Sequence, residues 1–229
     1  MNRISQRRLT IWLQNRRLFG QATHFAGFSH RIAGCRVAGV MGGGLLTSGL
    51  TRRGGGGHRR VMKITADSPI PAPFVSLGQK VLPAWIDGND HMNVGWYLHA
   101  FDEGFDTTFA ALGLGYNLIQ ERGFSTMTVD THVSYHHELL LGAPLRITCQ
   151  LVDCDRKRAH WIQAMYHAEA GYLAATAEWL ILFIDMTRRK VAAMPDDIHA
   201  RLERVKVAHA GLALPVPLGR TISIGNRKS

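Results

Sequence analysis

The first 66 residues contain no aspartate or glutamate, although they hold 12 of the chain's 27 lysines and arginines. Residues 67–229 therefore carry 15 basic side chains against all 17 acidic ones and are close to neutral. A net charge of +10 would ordinarily indicate a nucleic-acid or membrane partner. Because the whole excess lies in the N-terminal segment, we expect neither partner for the rest of the chain.

Cysteine and long apolar runs are also scarce. Cys35, Cys149 and Cys154 show no C-x-x-C spacing, which favours a reducing compartment, and we expect a cytoplasmic protein. The Gly-rich run 37–50 is too short and too weakly apolar to span a bilayer. We predict no metal site and no cofactor, because the histidines are spread over two predicted strands without ligand spacing: His132, His136, His137, His160 and His167.

The Arg- and Gly-rich segment 1–66 is predicted to be a poorly ordered extension. The favoured interpretation is a non-native or upstream-translated segment, with Met62 as the true start. A mitochondrial targeting peptide is an alternative, because Leu9, Trp12 and Leu13 have helical spacing in acid-free sequence. A nucleic-acid-binding tail and a secretion signal are the remaining interpretations.

One long amphipathic helix is predicted near the middle of the chain. Apolar side chains recur there at steps of three and four residues: Val94, Leu98, Phe101, Phe105, Phe109 and Leu112. Gly113 and Gly115 follow and are predicted to end the helix.

Period-two alternation follows the helix and predicts four strands separated by turns, in residues 125–137, 145–153, 159–169 and 172–185. Together with an extended segment before the helix, they predict an α+β fold with an antiparallel meander. The run WLILFI is apolar on both faces, which predicts a central strand or a subunit interface. One helix cannot shield five strands, so we expect a homodimer or a dimer of dimers. Pro195 and Asp196 open a last predicted helix.

The stretch DGNDHMN, residues 87–93, lies between a predicted strand and the long helix. The first helical turn presents backbone N–H groups without internal partners, at the electropositive end of the helix. Asp87 could attack a carbonyl carbon or activate a water beside those donors, which are the two parts that acyl transfer needs. Asp, Gly and Asn are also ordinary turn residues, and Asn93 is a good helix cap. Both interpretations are open on spacing alone.

The longer stretch WIDGNDHMNVGWYLHAFDEG resembles the signature D-x-N-G-H-M-N of hotdog-fold acyl-CoA thioesterases of the 4-hydroxybenzoyl-CoA thioesterase-like superfamily. It is most similar to the betainyl- and carnitinyl-CoA branch. VDTHVSYHHELLLGAPLRI continues the similarity, which covers about residues 75–224. The resemblance implies a hotdog domain over 67–208 with a tail over 209–229, an antiparallel sheet wrapped around one long helix, and coenzyme A as part of the substrate.

The family's catalytic groups map onto this chain residue by residue. The resemblance implies that Asp87 is the catalytic carboxylate and that the backbone N–H near Val94 is the oxyanion donor. Asn89, His91 and Asn93 match the motif residues that shape the turn and line the site.

Two positions depart from the family pattern. Asp90 stands where the family has Gly, and we expect it to supply a positive φ at modest cost. Its carboxylate near Asp87 is expected to disfavour ionisation of both groups and to raise the pKa of one. Asp130 replaces a Glu and is one methylene shorter.

Further residues are predicted to contact the substrate. Asp130, sharing a strand face with His132, could surround a quaternary ammonium together with Trp85, Trp96 or Tyr97; a solvated or interface strand face is the alternative. The basic turn of Arg156, Lys157 and Arg158 could bind the phosphates of CoA, or could simply be solvated.

These observations lead to one main functional hypothesis, a thioesterase that cleaves a short or small polar acyl-CoA with Asp87 as nucleophile or general base. One alternative is a hotdog enoyl-CoA hydratase or dehydratase that uses Asp87 and His91 as its acid-base pair. Another is a non-catalytic acyl-CoA-binding module.

Overall fold

The computed structural model describes residues 64–65, 67–222 and 224. The predictions for the N-terminal segment, including Met62, lie outside these residues. The regular elements, in chain order, are β1 Phe74–Lys80, a 3-10 turn Pro83–Trp85, α1 Val94–Leu112, α2 Tyr116–Arg122, β2 Phe124–Tyr135, β3 Pro144–Cys154, β4 Arg158–His167, β5 Leu173–Asp185, β6 Lys190–Val191 and α3 Asp196–His209.

The five longer strands form one antiparallel sheet in the order β1-β3-β4-β5-β2, and β6 pairs with β5. The strand that contains WLILFI is β5, and it lies between β4 and β2, so the prediction of a central strand is confirmed. The predicted meander is wrong for β2, which pairs with β5 and not with β3. Residues 136–143, which connect β2 to β3, are too many for a tight hairpin. Their backbone groups form hydrogen bonds with the backbone of Val81 and Met92.

The long helix α1 begins and ends where the sequence predicts. Gly113 takes the left-handed conformation, φ 71°, that closes the helix. The aromatic residues on the inward face of α1 pack on the sheet. The centroid of the Phe105 ring lies 5.2 Å from that of Trp179 and 6.0 Å from that of Trp161. Gly104 allows this approach, because a Cβ there would lie 3.0 Å from Ile147 Cγ2. The short helix α2 was not predicted from the sequence.

A bulge interrupts the alternation predicted for β2. Thr128 pairs with Ile181, but Asp130 already pairs with Leu180, so Val129 is the extra residue. Side chains before and after the bulge therefore exchange faces of the sheet. Local alternation cannot reveal this, because a bulge is recognised only against its partner strand.

The segment after α3 crosses the sheet face opposite α1. Gln150 Nε2 donates to the Leu212 carbonyl at 3.5 Å, and the Gly219 N–H donates to the Glu178 carboxylate at 2.9 Å. Ile162 points to this outer face and is only 2% exposed. The tail thus covers apolar surface that a single helix leaves open, and the predicted oligomer stays a prediction.

Candidate active site

The segment from Asp87 to Asn93 forms a tight loop between the 3-10 turn and α1. The Asp87 N–H donates to the His91 carbonyl at 3.1 Å, and the Asp90 N–H donates to the Asp87 carbonyl at 3.1 Å. Asp90 has φ 61°, as the sequence predicts for a residue that replaces glycine. The loop is closed by a bridge between Ile86 and Met92. These backbone bonds hold the Asp87 side chain against the start of the helix.

Three residues of the motif surround the Asp87 carboxylate. The Asn89 N–H donates to Oδ1 at 2.9 Å, the Asn93 Nδ2 donates to Oδ2 at 3.3 Å, and His91 Nδ1 lies 3.7 Å from Oδ1. The Asn89 N–H is the main reason why the pKa of Asp87 lies below its ordinary value of 3.8. Partial desolvation opposes this shift, while the Asn93 amide and His91 add to it.

The expected repulsion from Asp90 therefore does not raise the pKa of Asp87. The hydrogen bonds that stabilise the ionised form outweigh any repulsion, because Asn89 and Asn93 aim donors at Asp87. Asp87 is therefore a carboxylate at neutral pH, as a nucleophile or a general base must be.

Among the residues that the structure describes, the first turn of α1 leaves one backbone donor without an acceptor. Asn93 caps the helix, since its Oδ1 accepts from the Gly95 N–H at 3.0 Å, and the Trp96 N–H donates to the Asn93 carbonyl at 2.9 Å. The Val94 N–H has no acceptor among the described residues, and the Val94 side chain is 57% exposed. Asn93 thus contacts the Asp87 carboxylate through its amide and is followed directly by the free N–H. A carbonyl oxygen at this end of the helix would meet an unpaired donor and the positive end of the helix dipole.

Two aromatic groups flank the loop. The rings of Trp85 and Trp96 stack with centroids 5.5 Å apart, and the His99 ring meets both edge-on. On another side, the Tyr135 hydroxyl donates to the Val94 carbonyl at 3.2 Å, and its ring meets the Tyr97 ring edge-on at 5.2 Å.

Tyr135 was not among the site residues predicted from the sequence. It is the last residue of β2, and its contact with α1 crosses 41 positions of the chain. Two signals could have drawn attention to it: its place in the stretch VDTHVSY that resembles the family, and its location at the end of a strand.

The structure places Asp130 and His132 apart from these aromatic groups. Tyr135 pairs with Ala175 of β5 and Asp130 with Leu180, and two residues five positions apart in a strand point to opposite faces. Asp130 and His132 line a cavity of about 540 Å³ on the outer face. Within one chain, Asp130 therefore cannot share a cage with the tryptophans, because the sheet lies between them.

The basic turn also lies away from Asp87. The turn follows the end of β3. The loop of Asp87 lies near the other end of that strand, because the Met92 N–H donates to the Leu139 carbonyl, five residues before β3 begins. The length of β3 corresponds to about 30 Å. Arg156 forms an ion pair with Asp196, and Arg158 forms one with Asp155. The phosphate-binding role of the turn, including Lys157, stays a prediction that a single chain does not support.

The described residues contain no cluster of three potential metal ligands among histidine, cysteine, aspartate and glutamate. Over the same part of the chain, no helix combines the length and the apolar character needed to cross a membrane.

Known proteins that are similar to this chain in sequence are thioesterases. The family model described as "Thioesterase-like superfamily" matches residues 81–202. The betainyl-CoA thioesterase of Pseudomonas aeruginosa is 32% identical over 144 residues, which are 63% of this chain and 91% of that protein. The L-carnitine dehydrogenase/betainyl-CoA thioesterase of Rhizobium meliloti is 33% identical over 150 residues, which are 66% of this chain; the chain spans only 30% of that relative's length.

Solved structures show the same fold. A hypothetical protein from Staphylococcus aureus, solved in complex with CoA, has 26% identity and a TM-score of 0.64, covering 70% of this chain and all of that one. A 1,4-dihydroxy-2-naphthoyl-CoA thioesterase from Synechocystis has 19% identity and a TM-score of 0.52 over 57% of this chain and 95% of that one, which supports the fold alone. The predicted α+β hotdog fold is confirmed. The chain therefore belongs to the thioesterase-like superfamily.

Proposed function

We propose that this protein hydrolyses small acyl-CoA thioesters to the free acid and CoA. One observation carries the proposal: Asn93 donates to an ionised carboxylate, Asp87, and the next residue, Val94, has an N–H without an acceptor among the described residues. Hydrolysis of a thioester needs a base or nucleophile at the carbonyl carbon and a donor for the oxygen that becomes negative. The superfamily membership of the chain supports this reaction class over the alternatives.

The carbonyl oxygen of the substrate would point at the Val94 N–H, with Asp87 beside the carbonyl carbon. In the general-base route, Asp87 takes a proton from a water whose oxygen attacks that carbon. The C–S bond then breaks, and the CoA thiolate leaves and takes up a proton. In the nucleophilic route, an oxygen of Asp87 bonds to the carbonyl carbon, the C–S bond breaks, and the CoA thiolate leaves and takes up a proton. Water then hydrolyses the resulting anhydride to the free acid and the Asp87 carboxylate.

A betainyl-type acyl group is the substrate class that the relatives favour. The matching proteins of Pseudomonas aeruginosa and Rhizobium meliloti carry betainyl-CoA thioesterase in their names. For this chain, the ionised Asp87 is compatible with an acyl group that bears a positive charge near its carbonyl.

The test is release of free thiol from a panel of acyl-CoAs by the full chain and by Asp87→Asn. We expect the variant to lose at least about a hundredfold in kcat, as for a positioned base or nucleophile. Asp102→Asn, an exposed carboxylate on α1, is the matched control and should keep full activity. Retained activity in Asp87→Asn would refute the assignment.

Other outcomes separate the alternatives. Water addition to an enoyl-CoA without thiol release would identify a hydratase, and CoA binding without turnover would identify a binding module. Label found in the Asp87 carboxylate after a single turnover in ¹⁸O-labelled water would identify the nucleophilic route, with attack of water at the Asp87 carbon of the anhydride.

A further inference from the structure

The chemistry of a betainyl group limits where its charge can lie. One CH₂ group separates the ammonium nitrogen from the thioester carbonyl carbon, and such an N–C–C unit spans only about 2.5 Å. If the carbonyl oxygen points at the Val94 N–H, the trimethylammonium group must lie within a few ångströms of the first turn of α1. A residue of this chain that recognises the charge must therefore lie close to this turn.

The two tryptophans offer little free ring surface for this task. Trp85 is only 5% exposed, and one face of Trp96 stacks on it. The edge of their stack is occupied by His99. The two rings therefore pack the start of α1 and leave at most one face of Trp96 open.

Tyr135 differs from both tryptophans in exposure and position. It is 49% exposed, and its hydroxyl donates to the carbonyl of Val94, the residue whose N–H is free. The buried Tyr97 meets its ring edge-on at 5.2 Å and supports it. The ring is thus held beside the first turn of α1 with part of its surface open.

We propose that Tyr135 determines specificity for acyl groups that carry a quaternary ammonium, by presenting its ring to the trimethylammonium group as a cation–π wall. The inference rests on the proposed function, because it takes the carbonyl position from Val94. A ring face attracts a cation within about 6 Å of its centroid and has no such attraction for a neutral group of the same shape. The O–H bond to the Val94 carbonyl fixes the ring relative to the reacting carbon.

The ring acts without a charge of its own. Burial raises the pKa of Tyr135 above its ordinary value of 10.0 and that of Tyr97 to about 12, so both are protonated at neutral pH. Tyr135 therefore keeps the hydroxyl hydrogen that it donates to Val94.

The experiment compares betainyl-CoA with tert-butylacetyl-CoA, in which carbon replaces the ammonium nitrogen and the shape is retained. The ratio of the two kcat/KM values measures recognition of the charge. We expect the full chain to favour betainyl-CoA, and Tyr135→Leu to lower the ratio about tenfold, equivalent to about 1.4 kcal/mol. Tyr135→Phe keeps the ring and should keep the ratio.

Two further variants make the test specific. A fluorinated phenylalanine at position 135 keeps the shape of a ring but withdraws electron density from its face, so it should lower the ratio as Tyr135→Leu does. Tyr116→Leu removes a tyrosine that is 73% exposed at the start of α2, and should leave the ratio unchanged. Circular dichroism of each variant checks folding.

The outcomes separate this inference from the proposed function. An unchanged ratio in Tyr135→Leu and in the fluorinated variant, or a parent protein that cleaves both substrates equally, overturns the role of Tyr135 and leaves the thioesterase intact. If the folded parent cleaves no acyl-CoA at all, the proposed function itself is wrong.

Discussion

Replacement of Asn93 separates the stability of α1 from the chemistry of Asp87. The Asn93 Oδ1 caps the helix by accepting from Gly95, while its Nδ2 donates to Asp87 at 3.3 Å. Loss of an Asn cap to Ala costs about 1 kcal/mol of stability, whereas Ser and Asp retain a capping oxygen. We therefore expect Asn93→Ala to lower the free energy of unfolding by about 1 kcal/mol, and Asn93→Ser and Asn93→Asp to lower it by only a few tenths.

The effect on catalysis should follow a different order. The Asn93 amide donates to the Asp87 carboxylate at 3.3 Å and positions it beside the start of α1. Asn93→Ala and Asn93→Ser both lack this donor, so both should lose a similar factor in kcat/KM, roughly tenfold to a hundredfold, through misplacement of the carboxylate. Asn93→Asp places a second carboxylate against Asp87, which raises the pKa of Asp87 and moves the acid limb of the pH profile upward.

Urea unfolding followed by circular dichroism measures the first effect, and kcat/KM between about pH 2.5 and 8 measures the second. In the parent protein the acid limb due to Asp87 should lie below its ordinary pKa of 3.8. If all three variants lose the same stability, Asn93 does not act as a cap. If Asn93→Asp keeps the acid limb of the parent, the amide is not in contact with the carboxylate in the working enzyme.

Two further predictions concern stability. Asp90 has φ 61°, so Asp90→Gly should be more stable than Asp90→Ala by about 1 kcal/mol in urea unfolding, and equal stabilities would show that the loop does not hold this conformation. His209 is buried and neutral, accepting from the Leu151 N–H and donating to the Pro71 carbonyl, and burial lowers its pKa below 6.5. The unfolded chain therefore binds a proton more readily, so lowering the pH from 7 to 5 should reduce the stability of the parent more than that of His209→Gln; parallel pH curves would contradict this.

The local elements were predictable because their signals are local. The apolar spacing of α1 and the glycine that ends it are readable in about twenty residues, and the structure has the same bounds. The tight loop of the motif is equally local. Asn89, His91 and Asn93 all lie within six positions of Asp87, so a short loop necessarily brings them near its carboxylate.

The pairing of the strands was beyond local reasoning. β2 joins β5 and not β3, and the bulge at Val129 exchanges the faces on which its side chains lie. For this reason the cage predicted around Asp130 stays a prediction that a single chain does not support, since a shift of one residue moves a side chain across the sheet. The same pairing brings Tyr135 to Val94. This contact joins residues 41 positions apart, so the spacing of residues along the chain does not predict it.

The amino-acid sequence by itself determined the helix, the strands, the turn of Asp87 and the family to which the chain belongs. These follow from periodicity, from caps and from a motif whose members interact over a few residues. Only the tertiary structure decided which strands are neighbours, which face carries Asp130, how the tail covers the outer face, and that the Val94 N–H is free while Asp87 is ionised. Those features depend on contacts between residues far apart in the chain. Packing of the whole domain decides which of these residues are buried and which hydrogen bonds they form.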